Sequence, residues 1–211
     1  MLAIGEDGEV ALLFLFDMDD VLYDYDWRVR MAGLTRLTGL SVEELRRRWW
    51  HDEGETAAEA GRFPDAASYL AAFRAALGVE ITPEQWIANR RSAMTPRPEA
   101  IAAVELASRH GRVSLLTNNG PLLGAHLPAL APEIAPLFGD HLRTSSWYGA
   151  RKPDPVVFDR AIASYGADPA DVFFADDLPQ NVAAAASRGI TAHLYESPAG
   201  LQAAVRSFAE R

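Results

Sequence analysis

Two carboxylates separated by one residue follow an apolar run near the start of the chain. They are Asp17 and Asp19, and the run from Val10 to Phe16 has the composition of a strand buried on both faces. Two like charges about 4 Å apart repel by roughly 4 kcal/mol at an effective dielectric of about 20. A hard divalent cation with oxygen ligands would offset that repulsion. The pair is therefore a candidate catalytic or metal site, although aspartate is also common in a surface turn after a strand.

Polar side chains also follow three later segments of the chain. They are Thr117, Asn118 and Asn119 after an apolar segment, Lys152 in the loop Arg151-Lys152-Pro153-Asp154-Pro155, and Asp176 and Asp177 after another apolar segment, with Asn181 beyond them. Each group alone is compatible with a turn, a surface lysine or a helix cap. Because four separate loops carry such residues at strand ends, we expect them to form one site.

The elements that would position these residues alternate between strands and helices. The predicted strands are Val10–Phe16, Arg112–Thr117, a weaker His141–Ser145, Val172–Ala175 and Ile190–Tyr195. The predicted helices are Glu99–His110 with Gly111 as its stop, Pro155–Tyr165, Pro179–Arg188 and Pro198–Glu210. This alternation predicts an α/β fold with a doubly wound parallel sheet, in which ligands bind at the carboxyl ends of the strands.

The segment from 27 to 95 carries helix signals and no strand pattern. Capping boxes begin at Ser41 and Thr82, and a helical apolar pattern from Asp65 to Leu77 stops at Gly78. At the end of this segment the chain returns through Thr95-Pro96-Arg97-Pro98, which is stiff and extended. We therefore predict a core formed by residues 1–26 and 96–211, and a helical insertion, the cap, formed by residues 27–95.

Composition excludes several function classes. The chain has 211 residues and a formal net charge of −9, which disfavours nucleic acid as a partner. It has no cysteine, so disulfides, thiol catalysis and zinc–thiolate sites are excluded. The apolar run before Asp17 is too short for a signal-peptide core or a membrane span. We therefore expect a cytoplasmic protein without a membrane partner. The sequence does not distinguish a monomer from a dimer.

Taken in order, these motifs resemble those of the haloacid dehalogenase-like (HAD) hydrolase superfamily along essentially the whole chain. The matches are Asp17-Met18-Asp19 for D-x-D, Thr117 at the end of a hydrophobic strand, Lys152-Pro153-Asp154-Pro155 for K-P-x-P, and Asp176 to Asn181 for D-D-x-x-x-N. The resemblance implies a Rossmann-like HAD core with a helical cap inserted after the first motif. Glu59-Ala60-Gly61-Arg62 with Tyr69 is similar to the cap of small sugar-phosphate phosphatases. Asp20 departs from the family, which commonly has glycine there, and we assign it no role.

The resemblance implies phosphoryl transfer from a small phosphorylated metabolite through an aspartyl phosphate. Asp17 would be the nucleophile, and Asp19 would protonate the leaving oxygen and then deprotonate water. Thr117 and the backbone N–H of Asn118 would hold a phosphoryl oxygen, and Lys152 would neutralise the transferring group. The implied activity is that of a phosphatase acting on a small-molecule phosphate ester.

The same resemblance implies Mg²⁺ as the cofactor. Its expected ligands are the carboxylates of Asp17 and Asp176 and the backbone carbonyl of Asp19, with Asp177 as a support. Substrate contacts would come from the segment joining the first strand to the cap and from the cap itself. The candidates there are Tyr23, Asp24, Asp26, Trp49, Trp50, His51 and Arg62.

Other functions remain open at this point. A phosphomutase shares these motifs and differs mainly in its cap contacts. A dehalogenase of the same superfamily needs no acid for a departing halide, so Asp19 argues against it. A phospho-acceptor module also uses an acidic pair, a threonine and a lysine, but its acidic pair ends the first strand, whereas Asp176-Asp177 comes last here. A catalytically silent binding protein is the remaining alternative.

Overall fold

A parallel sheet lies at the centre of the structure, a computed structural model that describes residues 12–211. The strands in that range are β1 (Leu12–Phe16), β2 (Tyr23–Tyr25), β3 (Met94–Pro96), β4 (Gly111–Leu115), β5 (Val172–Asp176) and β6 (Thr191–Leu194). The parallel sheet has the order β4-β1-β5-β6. It confirms the predicted α/β fold, although Val10, the start of the predicted first strand, lies outside the described residues.

Strand β1 is buried on both faces, as its uninterrupted apolar sequence predicts. Phe14 and Phe16 point to one face of the sheet, whereas Leu13 and Leu15 point to the other. Their larger core partners are Phe173 and Phe208 on the first face, and Phe158 and Phe174 on the second. The strand that ends at Asp17 is therefore held firmly by packing from both sides.

Five α-helices occupy the chain between β2 and β3. They are α1 (Trp27–Thr38), α2 (Val42–Arg48), α3 (Ala57–Glu59), α4 (Ala66–Leu77) and α5 (Pro83–Arg91), with a π-helical turn at Asp52–Thr56. The Ser41 and Thr82 side chains cap α2 and α5 as their sequences predict. Strands β2 and β3 pair antiparallel, with Tyr23 opposite Pro96. The chain therefore leaves the sheet and returns to it at adjacent points.

The remaining helices follow β3 along the chain. They are α6 (Pro98–Ala107), α7 (Pro121–Leu130), α8 (Ala135–Phe138), α9 (Ser145–Tyr148), α10 (Pro155–Tyr165), α11 (Pro179–Ala186) and α12 (Pro198–Ala209), with 3-10 turns at Gly139–His141 and Pro169–Asp171. Gly111 opens β4 instead of ending the preceding helix, which stops at Ala107. Within residues 12–211, no helix is both long and apolar enough to cross a membrane.

The predicted strand from His141 to Ser145 is wrong. A 3-10 turn ends at His141, α9 begins at Ser145, and an isolated bridge between Thr117 and Thr144 is the sheet-like contact here. This segment has a single aliphatic residue, Leu142, so it offers little apolar surface for a position between two helical layers. Hydroxyl residues at 144–146 favour the start of a helix instead.

Candidate active site

Three predicted site residues meet at the carboxyl end of the sheet. Asp17 follows β1, Asp176 is the last residue of β5, and Lys152 lies in the loop before α10. The Lys152 Nζ atom is 2.9 Å from Asp17 Oδ1 and 2.6 Å from Asp176 Oδ2. All three side chains are buried, so the ammonium fixes the separation of the two carboxylates while it offsets part of their charge.

Burial is the largest influence on the ionisation of this cluster. It raises the pKa of Asp17, and the nearby Asp176 raises it further, while Lys152 opposes both effects. Burial alone would lower the pKa of Lys152, but Asp17 and Asp176 outweigh it and raise that pKa instead. The lysine is therefore a stable cation. It balances the negative charge of Asp17 only in part, so a further cation nearby would stabilise the ionised aspartate.

The backbone of Lys152 is fixed by the side chain of Asn118. Asn118 Oδ1 accepts a hydrogen bond from the Lys152 N–H (2.9 Å), and Asn118 Nδ2 donates to the Lys152 carbonyl (2.8 Å). This pair of bonds joins the loop after β4 to the loop that carries the lysine. The sequence assigned only the backbone N–H of Asn118 to the site, so this role of its side chain is additional.

Thr117 is buried, and its hydroxyl accepts a hydrogen bond from Asn119 Nδ2 at 2.9 Å. A hydroxyl that accepts one bond retains its own proton for donation. Thr117 can therefore donate to an oxygen of a bound ligand, and Asn119 orients it. The sequence places Asn119 among the polar residues at this strand end but assigns it no role, so its contact with Thr117 is additional.

Asp17, Asp176 and Asp177 bring carboxylate oxygens within 4.8 Å of one another. Burial and the adjacent Asp176 raise the pKa of Asp177. Asp176 Oδ1 also accepts from the Leu178 N–H and from Asn181 Nδ2, both at 2.9 Å, which fixes its carboxylate plane. Three converging carboxylates are the oxygen donor set that Mg²⁺ binds in proteins, so these residues fit that ion.

Asp19 points away from this carboxylate cluster and toward the cap. Arg90 Nη2, on α5, donates to Asp19 Oδ1 at 2.7 Å and to Asp19 Oδ2 at 2.6 Å. Asn119 Nδ2 is 3.5 Å from Asp19 Oδ2. No sequence signal identifies Arg90, because basic residues near a helix C-terminus are common for electrostatic reasons alone.

Asp20 occupies a backbone conformation that favours glycine. Its φ of 61° lies in the left-handed region, where aspartate is tolerated better than most other residues. Its side chain is exposed and accepts from the Tyr25 N–H at 3.3 Å. The departure from the family pattern at Asp20 is thus compatible with the turn, and its carboxylate lies outside the cluster formed by Asp17, Asp176 and Asp177.

The cap touches the core next to the lysine loop. Glu59 Oε2 on α3 is 2.7 Å from Arg151 Nε, and Ser145 Oγ donates to the Glu59 carbonyl at 2.7 Å. Burial raises the pKa of Glu59 to about 8, Glu55 adds to the rise, and Arg151 opposes it.

Two cap residues that were predicted to contact the substrate, Arg62 and Trp50, form other contacts in the structure. Arg62 donates to the Glu53 carbonyl, whereas Trp50 packs on Trp27 and Phe73.

Comparisons with known proteins find similarity to one hydrolase family. The family model for haloacid dehalogenase-like hydrolases matches residues 12–189. Phosphatase MT3486 of Mycobacterium tuberculosis is 30% identical over 188 residues, which cover 86% of each chain. A HAD family enzyme of Bacteroides thetaiotaomicron, solved with magnesium and inorganic phosphate, has a TM-score of 0.72 at 19% identity, covering 88% of this chain and 94% of that one. A 2-haloacid dehalogenase of Pseudomonas syringae has a TM-score of 0.63 at 18% identity, covering 88% and 86%.

Proposed function

The chain belongs to the haloacid dehalogenase-like hydrolase family, and from that premise we propose that it is a magnesium-dependent phosphatase of small phosphorylated metabolites. The observation that carries the proposal is the contact of Lys152 with both Asp17 and Asp176 at the sheet edge. A carboxylate nucleophile, a fixed cation and further carboxylates within 4.8 Å are the groups that phosphoryl transfer requires. The name of the mycobacterial relative supports the choice of phosphate esters.

In the first step, Asp17 attacks phosphorus. A bond forms between a carboxylate oxygen of Asp17 and the phosphorus, and the bond to the leaving alcohol breaks. Lys152 offsets charge on the nucleophile and on the transferring group. The Thr117 hydroxyl and the Asn118 backbone N–H donate to a phosphoryl oxygen and orient the group for in-line attack.

Asp19 moves the protons in both steps. It gives a proton to the leaving oxygen while the aspartyl phosphate forms on Asp17. It then takes a proton from the water that attacks this intermediate, which releases inorganic phosphate and restores the Asp17 carboxylate. A residue that serves both steps must reach the ester oxygen and later the attacking water, so Asp19 has to leave its present contact with Arg90.

Asp17 and Asp176 would hold the magnesium ion, together with the backbone carbonyl of Asp19, and Asp177 would support it. When bound, Mg²⁺ supplies positive charge that offsets the negative charge of the phosphate oxygens. The same charge favours the ionised form of Asp17, whose pKa is raised by burial. The Bacteroides enzyme crystallised with magnesium and inorganic phosphate supports this choice of ion.

The cap, residues 27–95, favours a small substrate in this proposal. Helix α3 meets the lysine loop through Glu59, and α5 reaches Asp19 through Arg90. A cap that closes on the site excludes water and leaves no groove for a polymer. Phosphorylated sugars and similar metabolites fit such a site better than proteins or nucleic acids.

Replacement of the nucleophile tests the proposal. Asp17→Asn should abolish hydrolysis of para-nitrophenyl phosphate, because an amide is a poor nucleophile and a weak metal ligand. EDTA should have the same effect on the unmodified protein, and added Mg²⁺ should restore activity. Asp168→Asn is the matched control, since Asp168 caps a 3-10 turn away from the site. Retention of most activity by Asp17→Asn would refute the proposal.

Halide release tests the nearest alternative within the family. A dehalogenase would liberate chloride from 2-chloropropionate, and this activity would not depend on Asp19. The salt bridge between Asp19 and Arg90 places an ionisable pair at the site that halide departure does not need. We expect no chloride release by the unmodified protein under conditions in which it hydrolyses phosphate esters.

A further inference from the structure

Arg90 is a buried cap residue whose charge is balanced by a residue of the core. Its side chain is 3% exposed, and its Nη2 atom contacts both carboxylate oxygens of Asp19 at 2.6–2.7 Å. Asp19 is the proton donor and acceptor in the mechanism proposed above. A cap residue therefore holds the group that must act on the leaving alcohol.

This contact is incompatible with proton delivery by Asp19. A guanidinium bonded to both oxygens occupies the lone pairs through which the carboxylate would reach the ester oxygen. Asp19 must therefore separate from Arg90 before it can act. A buried guanidinium that loses the carboxylate paired with it is strongly destabilised unless another acceptor replaces it. The acceptor that replaces Asp19 beside Arg90 must therefore be part of the substrate.

Arg90 also has a hydrogen-bond donor that the contact with Asp19 does not use. Its Nη1 atom is buried and lacks a hydrogen-bond partner among the described residues. The Tyr25 ring stacks on the guanidinium with 3.9 Å from Cζ to the ring centroid, so that face is covered. Hydrogen bonds from a guanidinium lie in its plane. An acceptor that replaces Asp19 could therefore use both Nη1 and Nη2.

A second buried arginine adds positive charge to this part of the cap. Arg30 on α1 is 3% exposed, donates to the Trp86 carbonyl at 3.2 Å and stacks over the Trp86 ring. It forms no salt bridge within residues 12–211. Burial lowers the pKa of Arg30, and the positive charge of Arg90 lowers it further. Negative charge arriving beside Arg90 would therefore stabilise both arginines.

We propose that Arg90 determines substrate specificity by binding an anionic group on the leaving alcohol and thereby releasing Asp19 toward the ester oxygen. The substrate class is a phosphate monoester whose leaving group carries a carboxylate or a second phosphate. Both offer the planar or paired oxygens that a guanidinium binds in bidentate form. This inference deepens the proposed phosphatase function and rests on it.

Matched substrates test the inference on the unmodified protein. 2-Phosphoglycolate carries a carboxylate, and 2-phosphoglycolamide is its neutral counterpart of similar shape. 1,3-Propanediol bisphosphate and 3-hydroxypropyl phosphate form the equivalent pair for a second phosphate. At least one charged member should exceed its neutral partner about tenfold or more in kcat/KM, as loss of a charge-assisted hydrogen bond implies. Discrimination below about threefold in both pairs would overturn the inference.

Two neighbouring arginines provide the variant and its control. Arg90→Gln should reduce the charged-to-neutral ratio to about one, mainly through a higher KM for the charged member. Arg91→Gln should leave the ratio unchanged, because Arg91 ties the same helix to the core through Glu133 and does not contact Asp19. A ratio that survives in Arg90→Gln, or that falls equally in Arg91→Gln, would contradict the assignment.

Binding measurements detect the competition between Asp19 and the ligand directly. In an Asp17→Asn background with Mg²⁺ present, the added Asp19→Asn change removes the carboxylate that competes for Arg90. Calorimetry should then show at least about fivefold tighter binding of 2-phosphoglycolate and little change for 2-phosphoglycolamide. Equal changes for the two ligands, or no change, would contradict the inference even if Arg90→Gln does not fold.

The two proposals fail in different ways. If Asp17→Asn abolishes turnover of para-nitrophenyl phosphate but the charged substrates have no advantage, only the role of Arg90 is wrong. If Asp17→Asn retains turnover, the phosphatase mechanism itself is wrong, and the substrate inference fails with it.

Discussion

Gly61 of the cap and Gly149 of the core approach so closely that no side chain fits between them. A Cβ on Gly61 would lie 2.8 Å from Gly149 Cα and 2.8 Å from the Ser146 carbonyl oxygen. The φ of Gly61 is 84°, which also favours glycine. Because Gly149 precedes the loop that carries Lys152, this contact places the cap against the catalytic side of the core.

Gly61→Ala should separate the cap from the core. Its methyl group would clash with backbone atoms, which cannot move aside as a flexible side chain can. We expect kcat/KM for a natural phosphate ester to fall about tenfold or more, because a misplaced cap no longer orients the substrate. Steady-state kinetics and thermal unfolding of the same preparation would measure both effects.

Gly78→Ala is the matched control for this prediction. Gly78 has a φ of 69°, and a Cβ there would meet only Arg48 Nη1 at 3.6 Å. Both variants should lose about 1 kcal/mol of stability through left-handed backbone strain. Only Gly61→Ala should lose activity as well. Parallel losses of activity in the two variants would mean that strain, and not the cap contact, is responsible.

Asn118→Asp should impair catalysis with little change in overall fold. The carboxylate would still accept from the Lys152 N–H but would repel the Lys152 carbonyl, to which the native amide donates. Displacement of the lysine by a fraction of an ångström should lower kcat by about 10- to 100-fold. Gln202→Glu is the control, since it removes an amide donor to the Glu99 carbonyl far from the site. An unchanged kcat in Asn118→Asp would show that the lysine is positioned without this amide.

Asp19→Asn should lower kcat/KM to different extents for esters whose leaving groups have high and low pKa values. Alcohols of high pKa need a proton as they depart, so their esters should lose about 100-fold or more in kcat/KM. Para-nitrophenolate departs with little protonation, and its ester should lose much less. Steady-state rates across a series of leaving groups would measure the dependence. Equal losses for both kinds of ester would exclude general-acid catalysis by Asp19.

Asp17, Thr117 and Asp176 could be predicted because each lies at the end of a buried strand, whereas Lys152 follows a helix where a strand was predicted. Asp17 follows Phe16, which pairs with Leu115 of β4 and Ala175 of β5. Once a parallel sheet is inferred from the alternation of strands and helices along the chain, the carboxyl ends of its strands must lie at one edge. The meeting of Asp17 with Asp176 follows from sequence and topology together.

Arg90 could not be predicted, because its position depends on how the cap packs against the core. It lies 71 residues from Asp19 along the chain and belongs to a helix with two adjacent arginines, of which only one reaches the site. Neither periodicity nor spacing distinguishes Arg90 from Arg91. The side-chain roles of Asn118 and Asn119 were hidden for a related reason, since a turn sequence does not specify which loop its amides contact.

Glu59 should make the stability of the fold depend on pH. Burial raises its pKa from 4.5 to about 8, so between these values the folded protein retains a proton that the unfolded chain has lost. The contribution of Glu59 is fully present below about pH 4.5 and is lost as the pH rises through about 8. The loss amounts to at most about 5 kcal/mol across this window.

Glu59→Gln should remove that dependence, because an amide of the same shape does not titrate. As the pH rises from 5 to about 8, the melting temperature of the variant should increase relative to that of the unmodified protein. Above about pH 8 the difference should stay constant. Glu80→Gln is the control, since Glu80 is 88% exposed and contacts Arg74 instead of Arg151. Thermal unfolding at several pH values would measure both differences. A Glu59→Gln offset that stays constant across this range, or that changes in the opposite direction, would mean that the ion pair with Arg151 keeps Glu59 ionised in the folded protein.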